Sequence, residues 1–459
     1  MDLRAYGLVD KRRIRPYVHM PLFLAAGWLI LLAVFFRFWD LTSRVPPLML
    51  WSLVFLAAYA STVKLRGEPA RERGRFILWL ALIVLAAAAN LLIPTVNLGS
   101  ARVRTVTFVK VLDTVVPVWI LTRAMIVLWS GWARAAAVAS IPAVSAVMLA
   151  VLVVRMPGES LAGELPALSA AESVLARELE RDVRRLVPAA AERNHRNPEA
   201  LEDAARYLDS VLTAAGYLMT SQPYRAGEYA FRNITATLPG LDTAAPALVI
   251  GAHYDAVEGA PGADDNASGT AALLALARAL RDSRLPRTIR FVAFASEEPP
   301  FFDSDRMGSR HWARAAQERG ERIAAMISLE TVGYFSDEAG SQRYPPPFNL
   351  VYPDRGNFVG FVGNMASRRL VHRAIAAFRE QGKLPSEGVA APALVPGIGW
   401  SDHASFWLTG VPAIMITDTA PFRNPHYHLR SDTPDRLDYG RMARLVTGLR
   451  PVIERLATS

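Results

Sequence analysis

Apolar residues are not spread evenly along this chain. Between residues 21 and 154 they form five long runs: Pro21–Phe36, Pro46–Val63, Phe76–Ile93, about Val106–Trp129, and Trp132–Val154. Each approaches the roughly 20 residues a helix needs to cross a bilayer. The fourth is the weakest, because Lys110, Asp113 and Arg123 interrupt it. Met156–Leu168 holds Pro157, Gly158, Gly163 and Pro166 and reads as a linker. Beyond it the pattern changes. Ser169–Val187 and Pro198–Ala215 have helical apolar spacing, the second with Pro in its first turn and Gly216 past its end. Short apolar runs at Ala247–Gly251, Thr288–Ala295, Ile323–Leu329 and Val411–Thr417 read as strands. Between and after them Ser268–Arg281, Gly308–Arg319, Ser367–Gln381 and about Tyr439–Ala457 read as helices. The pattern predicts an all-α transmembrane domain of about five helices over 1–155 and a linker over 156–168. Residues 169–459 are then an α/β domain with a mixed, largely parallel sheet flanked by helices.

Charge follows the same division. The whole chain carries a formal +9, but residues 1–155 hold 18 Lys and Arg against six Asp and Glu, and the remainder 33 against 36. The larger domain has no basic surplus with which to neutralise phosphates, so no nucleic-acid partner is expected. The basic residues concentrate before the first span (Arg4, Lys11, Arg12, Arg13, Arg15) and between the second and third (Lys64, Arg66, Arg71, Arg73, Arg75). The other connectors are sparse, which places the N-terminus in the cytoplasm. Five spans then put the α/β domain on the extracytoplasmic side of the bilayer; four would reverse it. Lys110 and Asp113, three residues apart, read as a structural pair near a span end.

Zero cysteines exclude thiolate metal sites, disulfides and cysteine nucleophiles, so any metal must be held by His and carboxylate. Those residue types gather at the C-terminal ends of the predicted strands, where open α/β sheets bind ligands. His253-Tyr254-Asp255 follows the first strand, then Gly262-Ala263-Asp264-Asp265-Asn266. Ser296-Glu297-Glu298 follows the second, Ser328-Leu329-Glu330 ends the third, and Ser401-Asp402-His403 and His426-Tyr427-His428 come later. Two divalent ions need about two His and three carboxylates, one of them bridging, and that inventory is present. Each element alone is weak: a Glu-Glu pair is usually a solvated helix face. Here, however, Glu297-Glu298 follows a wholly apolar strand. Asn266-Ala267-Ser268 also fits a glycosylation sequon, discounted because a glycan would block this loop.

The order and spacing of these motifs resemble the M28 family of zinc aminopeptidases, over most of residues 190–459. The resemblance implies two Zn2+ per chain, one held by His253 and Glu330, the other by Glu298 and His428, with Asp265 bridging. Glu297 would be the general base, and Asp255 would orient His253. Many relatives have Asp where Glu330 stands. His428 is preferred to His426 because the family's ligand follows Tyr and precedes an Asp-Thr pair, here Asp432-Thr433. Asp402 is expected near the site. The implied activity is hydrolysis of the N-terminal peptide bond of peptides with a free N-terminus. Alternatives on the same fold are a glutaminyl-cyclase-like transferase and a non-catalytic binding ectodomain; a transporter is a third class, without an evident midplane ion site.

Overall fold

Helix α1 (Ala170–Leu186) begins at a reciprocal cap: the Glu172 N–H donates to Ser169 Oγ and the Ser169 N–H to the Glu172 carboxylate. Its stripe of Leu179, Val183 and Leu186 is fully buried. The computed structural model describes residues 153–187, 192–346 and 348–458. Apart from Val153 and Val154, the five expected spans lie outside these residues; among the described residues no helix is long and apolar enough to cross a membrane.

Helix α2 (Pro198–Ala214) leads to an eight-stranded sheet. Its strands are β1 (Leu218–Ala226), β2 (Tyr229–Leu238), β3 (Ala247–His253), β4 (Ile289–Phe294), β5 (Ile323–Glu330), β6 (Val359–Asn364), β7 (Ser386–Ala391) and β8 (Ala413–Thr417). Their spatial order is β1-β2-β4-β3-β5-β8-β6-β7. Neighbours β4–β3, β3–β5, β5–β8 and β6–β7 are parallel; β1–β2, β2–β4 and β6–β8 are antiparallel. Helices α3 (Gly269–Leu280), α4 (Gly308–Glu318), α5 (Arg368–Arg379) and α6 (Tyr439–Thr458) supply the crossovers and the cover.

Strand alternation divides the core. Leu248, Ile250 and Ala252 of β3 point into the large cluster shared with α1, α2, α3, α5 and α6, whereas Val249 faces Phe294, Trp312 and Phe406 on the other side. Each fully buried large side chain, such as Phe291, Phe361 or Phe378, contributes roughly 1.5–3 kcal/mol.

Four strands are not predicted by the apolar pattern. The outer strand β1 is mostly polar and contains Pro223, tolerable at a sheet edge and otherwise a loop signal. β2 pairs with β1 along nearly its whole length and carries Arg232, Asn233 and four Thr or Ala positions that dilute its run. β6 and β7 are rich in Gly and Ala. At Gly363 a Cβ would lie 2.8 Å from Val371 Cγ2, so close packing by α5 favours the residue type that hides the strand.

Candidate active site

The fully buried β3 lies between β4 and β5, so the polypeptide leaves three neighbouring strands at one edge of the sheet. His253 is the last residue of β3 and Glu330 the last of β5; Glu297 and Glu298 follow β4 after a two-residue turn. The loop from β3 to α3 returns Asp265 to this edge, and the segment before α6 brings His428. His253 Nε2 is 3.3 Å from Asp265 Oδ1 and 3.4 Å from Glu330 Oε2. His428 Nε2 is 3.0 Å from Asp265 Oδ2 and 3.4 Å from Glu298 Oε2. Two triads result, His253–Asp265–Glu330 and Asp265–Glu298–His428, each with its donor atoms within 4.8 Å of one another and with Asp265 common to both.

Glu297 belongs to neither triad. Its Oε2 is 3.9 Å from His253 Nε2, in the same buried space. Asp255 stands 3.4 Å from His253 Nδ1 and accepts the backbone N–H groups of Glu297 and Glu298, one on each oxygen at 3.2 Å. Asp432 does the same for the other turn, accepting the N–H groups of Asp264 and Asp265 at 2.9 and 3.2 Å. The two chain segments that carry acidic donors are therefore each gripped by one buried carboxylate. Ser401 Oγ donates to Glu330 Oε2 at 2.7 Å and lies 3.0 Å from Ser328 Oγ, fixing the longer side chain. His426 stands apart from both triads, its Nδ1 at 2.9 Å from Ser431 Oγ.

Asn266 is wholly buried, its Nδ2 donating to Leu329 O and its Oδ1 accepting from the N–H groups of Gly269 and Thr331, which leaves no room for a glycan. Behind the loop, fully buried Arg193 donates to the carbonyls of Leu186, Tyr254, Pro261 and Gly262. Burial lowers its pKa to about 10, so it stays charged at neutral pH. Arg193 lies in a polar stretch with no motif, and no signal in one sequence marks it. Asp432 was legible only as a neighbour of the motif. Ser296, Thr331 and His428 adopt left-handed backbone conformations, with φ of 51°, 45° and 58°, beside the ligand-type residues. Such conformations cost of order 1–3 kcal/mol each and cluster at functional sites.

The electrostatics call for cations. Burial pushes the carboxyls of Glu297, Glu298 and Glu330 upward, reinforced by one another and by Asp402, Asp255 and Asp265, and opposed by His253. Asp402 rises to about 7, chiefly by burial. Asp265 is pushed up by burial too, but its pairing with His253 and His428 outweighs this and holds it below the usual range. Among buried atoms without a hydrogen-bond partner are both Asp265 oxygens, Glu298 Oε1, His428 Nε2 and His253 Nδ1, most of them the donor atoms of the triads. Buried polar atoms are rarely left without partners. Two imidazoles and three carboxylates, arranged with one shared carboxylate, are a donor set that fits two divalent ions.

The profile of peptidase family M28 matches residues 233–453, a segment containing every residue of both triads. The uncharacterized protein YfbL of Escherichia coli (strain K12) is 43% identical over 284 residues, covering 59% of this chain and 85% of that protein. The chain belongs to peptidase family M28. A probable leucine aminopeptidase of Arthroderma otae is 29% identical over 225 residues, 46% of this chain and about half (52%) of that relative's length. The crystal structure of the Legionella pneumophila LapA aminopeptidase superposes with a TM-score of 0.50 at 21% identity, over 64% of this chain and 77% of that one. The M28 fold is thus shared with an aminopeptidase of low sequence identity.

Proposed function

We propose that this M28 peptidase is a di-zinc metallo-aminopeptidase that hydrolyses the N-terminal peptide bond of peptides. The observation that carries the proposal is the pair of triads sharing Asp265, with Glu297 buried beside them and bound to neither. His253 and Glu330 would hold one zinc, Glu298 and His428 the other, and Asp265 both. Zinc bound there supplies Lewis-acid polarisation of the scissile carbonyl and lowers the pKa of a bound water toward neutrality.

The chain's own groups do the proton work. Glu297, raised by burial, accepts a proton from the attacking water and returns it to the leaving amine. Asp255 orients His253 and holds Glu297 through its backbone N–H. The concentration of carboxylates favours a substrate α-ammonium group over a blocked N-terminus. We also propose that residues 1–155 anchor the enzyme in a bilayer with the peptidase domain outside the cytoplasm, a reading supported by the apolar runs and the alternation of basic connectors.

The test is hydrolysis of leucine p-nitroanilide by the purified full-length chain, beside its N-acetylated form and a peptide beginning with glutamine. Release of nitroaniline from the free-amine substrate alone, abolished by chelator and restored by zinc, is the expected result. Cyclisation of the glutamine peptide without hydrolysis would replace the reading with a transferase.

A further inference from the structure

A cavity opens beside the triads, and an acidic side chain, Glu387, lines it away from them. It measures about 810 Å³, open mouth included, is bounded by Glu330 and Tyr427 at the site and reaches Glu387. Its floor is the sheet. Glu330 is in register with Thr417, Thr417 with Gly360, and Gly360 with Glu387, so one row of residues crosses β5, β8, β6 and β7. At roughly 4.8 Å per strand, the backbones of Glu330 and Glu387 are about 14 Å apart. Gly360 keeps the row open: a Cβ there would meet Thr417 O at 3.3 Å, and the Cγ2 atoms of Thr417 and Thr419 at 3.4 Å. The adjacent row, Met415–Val362–Val389, is apolar, and the stacked rings of Tyr344 and Tyr352 also line the cavity.

Glu387 is half-buried and accepts no hydrogen bond among the described residues. It forms a long ion pair with Arg379, whose Nη2 is 3.8 Å away, beyond hydrogen-bond distance. Arg379 is engaged elsewhere, donating to Ser386 Oγ and to the carbonyls of Ser386, Pro157 and Gly158. Burial raises the Glu387 carboxyl, and the opposing charge of Arg379 does not cancel the shift. A leucine-sized side chain entering from the metal end leaves the far half empty. A lysine or arginine stem spans roughly 6 Å, lies against the apolar row, and brings its cation to the carboxylate.

We propose that this cavity receives the side chain of the substrate's N-terminal residue and that Glu387 selects lysine or arginine there. The proposal rests on the aminopeptidase reading above. It is tested with the full-length, zinc-loaded protein and p-nitroanilides of Leu, Phe, Lys and Arg. The wild type is expected to favour Lys and Arg over Leu by at least about 10-fold in kcat/KM, and Glu387→Leu to lower the Lys:Leu ratio by about 10–100-fold. Retention of the ratio in Glu387→Leu, or a wild-type preference for Leu or Phe, overturns the specificity proposal and leaves the aminopeptidase reading intact. Hydrolysis of none of the four overturns both. A thermal-shift comparison of lysinamide with norleucinamide reads the cavity without turnover: greater stabilisation by lysinamide, lost in Glu387→Leu, is expected, and equal shifts overturn the proposal.

Discussion

The adjacent glutamates offer the sharpest separation of roles, because their backbones are held alike and their carboxylates are not. Asp255 accepts both N–H groups, so a Gln at either position keeps the turn. Glu297 lies outside both triads, while Glu298 is one of the three groups around the Asp265–His428 position. Glu297→Gln therefore removes a proton acceptor and spares the metals. A general base contributes about 10²–10⁴-fold, equivalent to roughly 3–5.5 kcal/mol of barrier at 1.36 kcal/mol per decade. Glu298→Gln removes one anionic donor from a set of three. Loss of an outer-shell partner alone weakens metal binding by about 10–100-fold, and loss of a direct ligand is expected to exceed that. The assay pairs kcat/KM on leucine p-nitroanilide with zinc per chain by mass spectrometry after desalting. Glu297→Gln should be nearly inactive with full zinc; Glu298→Gln should be depleted of zinc and partly rescued by excess metal. Exchanged phenotypes, or a Glu297→Gln variant within 10-fold of wild type, would refute the assignment.

Arg193→Met leaves four carbonyls, three of them buried, without their donor and is expected to cost at least about 1–3 kcal/mol in urea unfolding; no measurable loss would show that the guanidinium is dispensable. His403 is fully buried, Nε2 facing Ile398 O, and burial lowers its pKa to about 4 from an ordinary 6.5. The unfolded chain thus binds one more proton between those values, and stability from this group falls as pH drops below 6.5. The penalty of His403→Gln should shrink by about 2–3 kcal/mol between pH 7.5 and 4.5, and a pH-independent penalty would contradict the burial argument. A reporter active only outside the cytoplasm, fused after Gly158, should be active; activity of a cytoplasm-only reporter there would mean four spans.

The site was more legible than the sheet that carries it. His253 and Glu330 end apolar runs, and a charged residue at the end of a buried strand stands out against its neighbours. Helices α1 to α6 were readable from their apolar spacing, to within a residue or two at most ends. β6 and β7 were not, since Gly360, Gly363 and the alanines of β7 were selected by close packing and an open floor, and neither leaves an apolar signature. Arg193 and Asp432 act through backbone groups, a role any polar residue in a loop could hold, so only the fold reveals it. Glu387 lies on a strand that no apolar run marks, and only the register aligns it with Glu330.

The central claim is that two metal ions, sharing Asp265, are required for hydrolysis. Stripped full-length protein should be titrated with zinc while bound metal and leucine p-nitroanilide hydrolysis are followed together. The account predicts binding that saturates at two zinc per chain, full activity only near that point, and loss of both in Asp265→Asn. Hydrolysis that is indifferent to chelator, or a chain that binds no zinc, would contradict it.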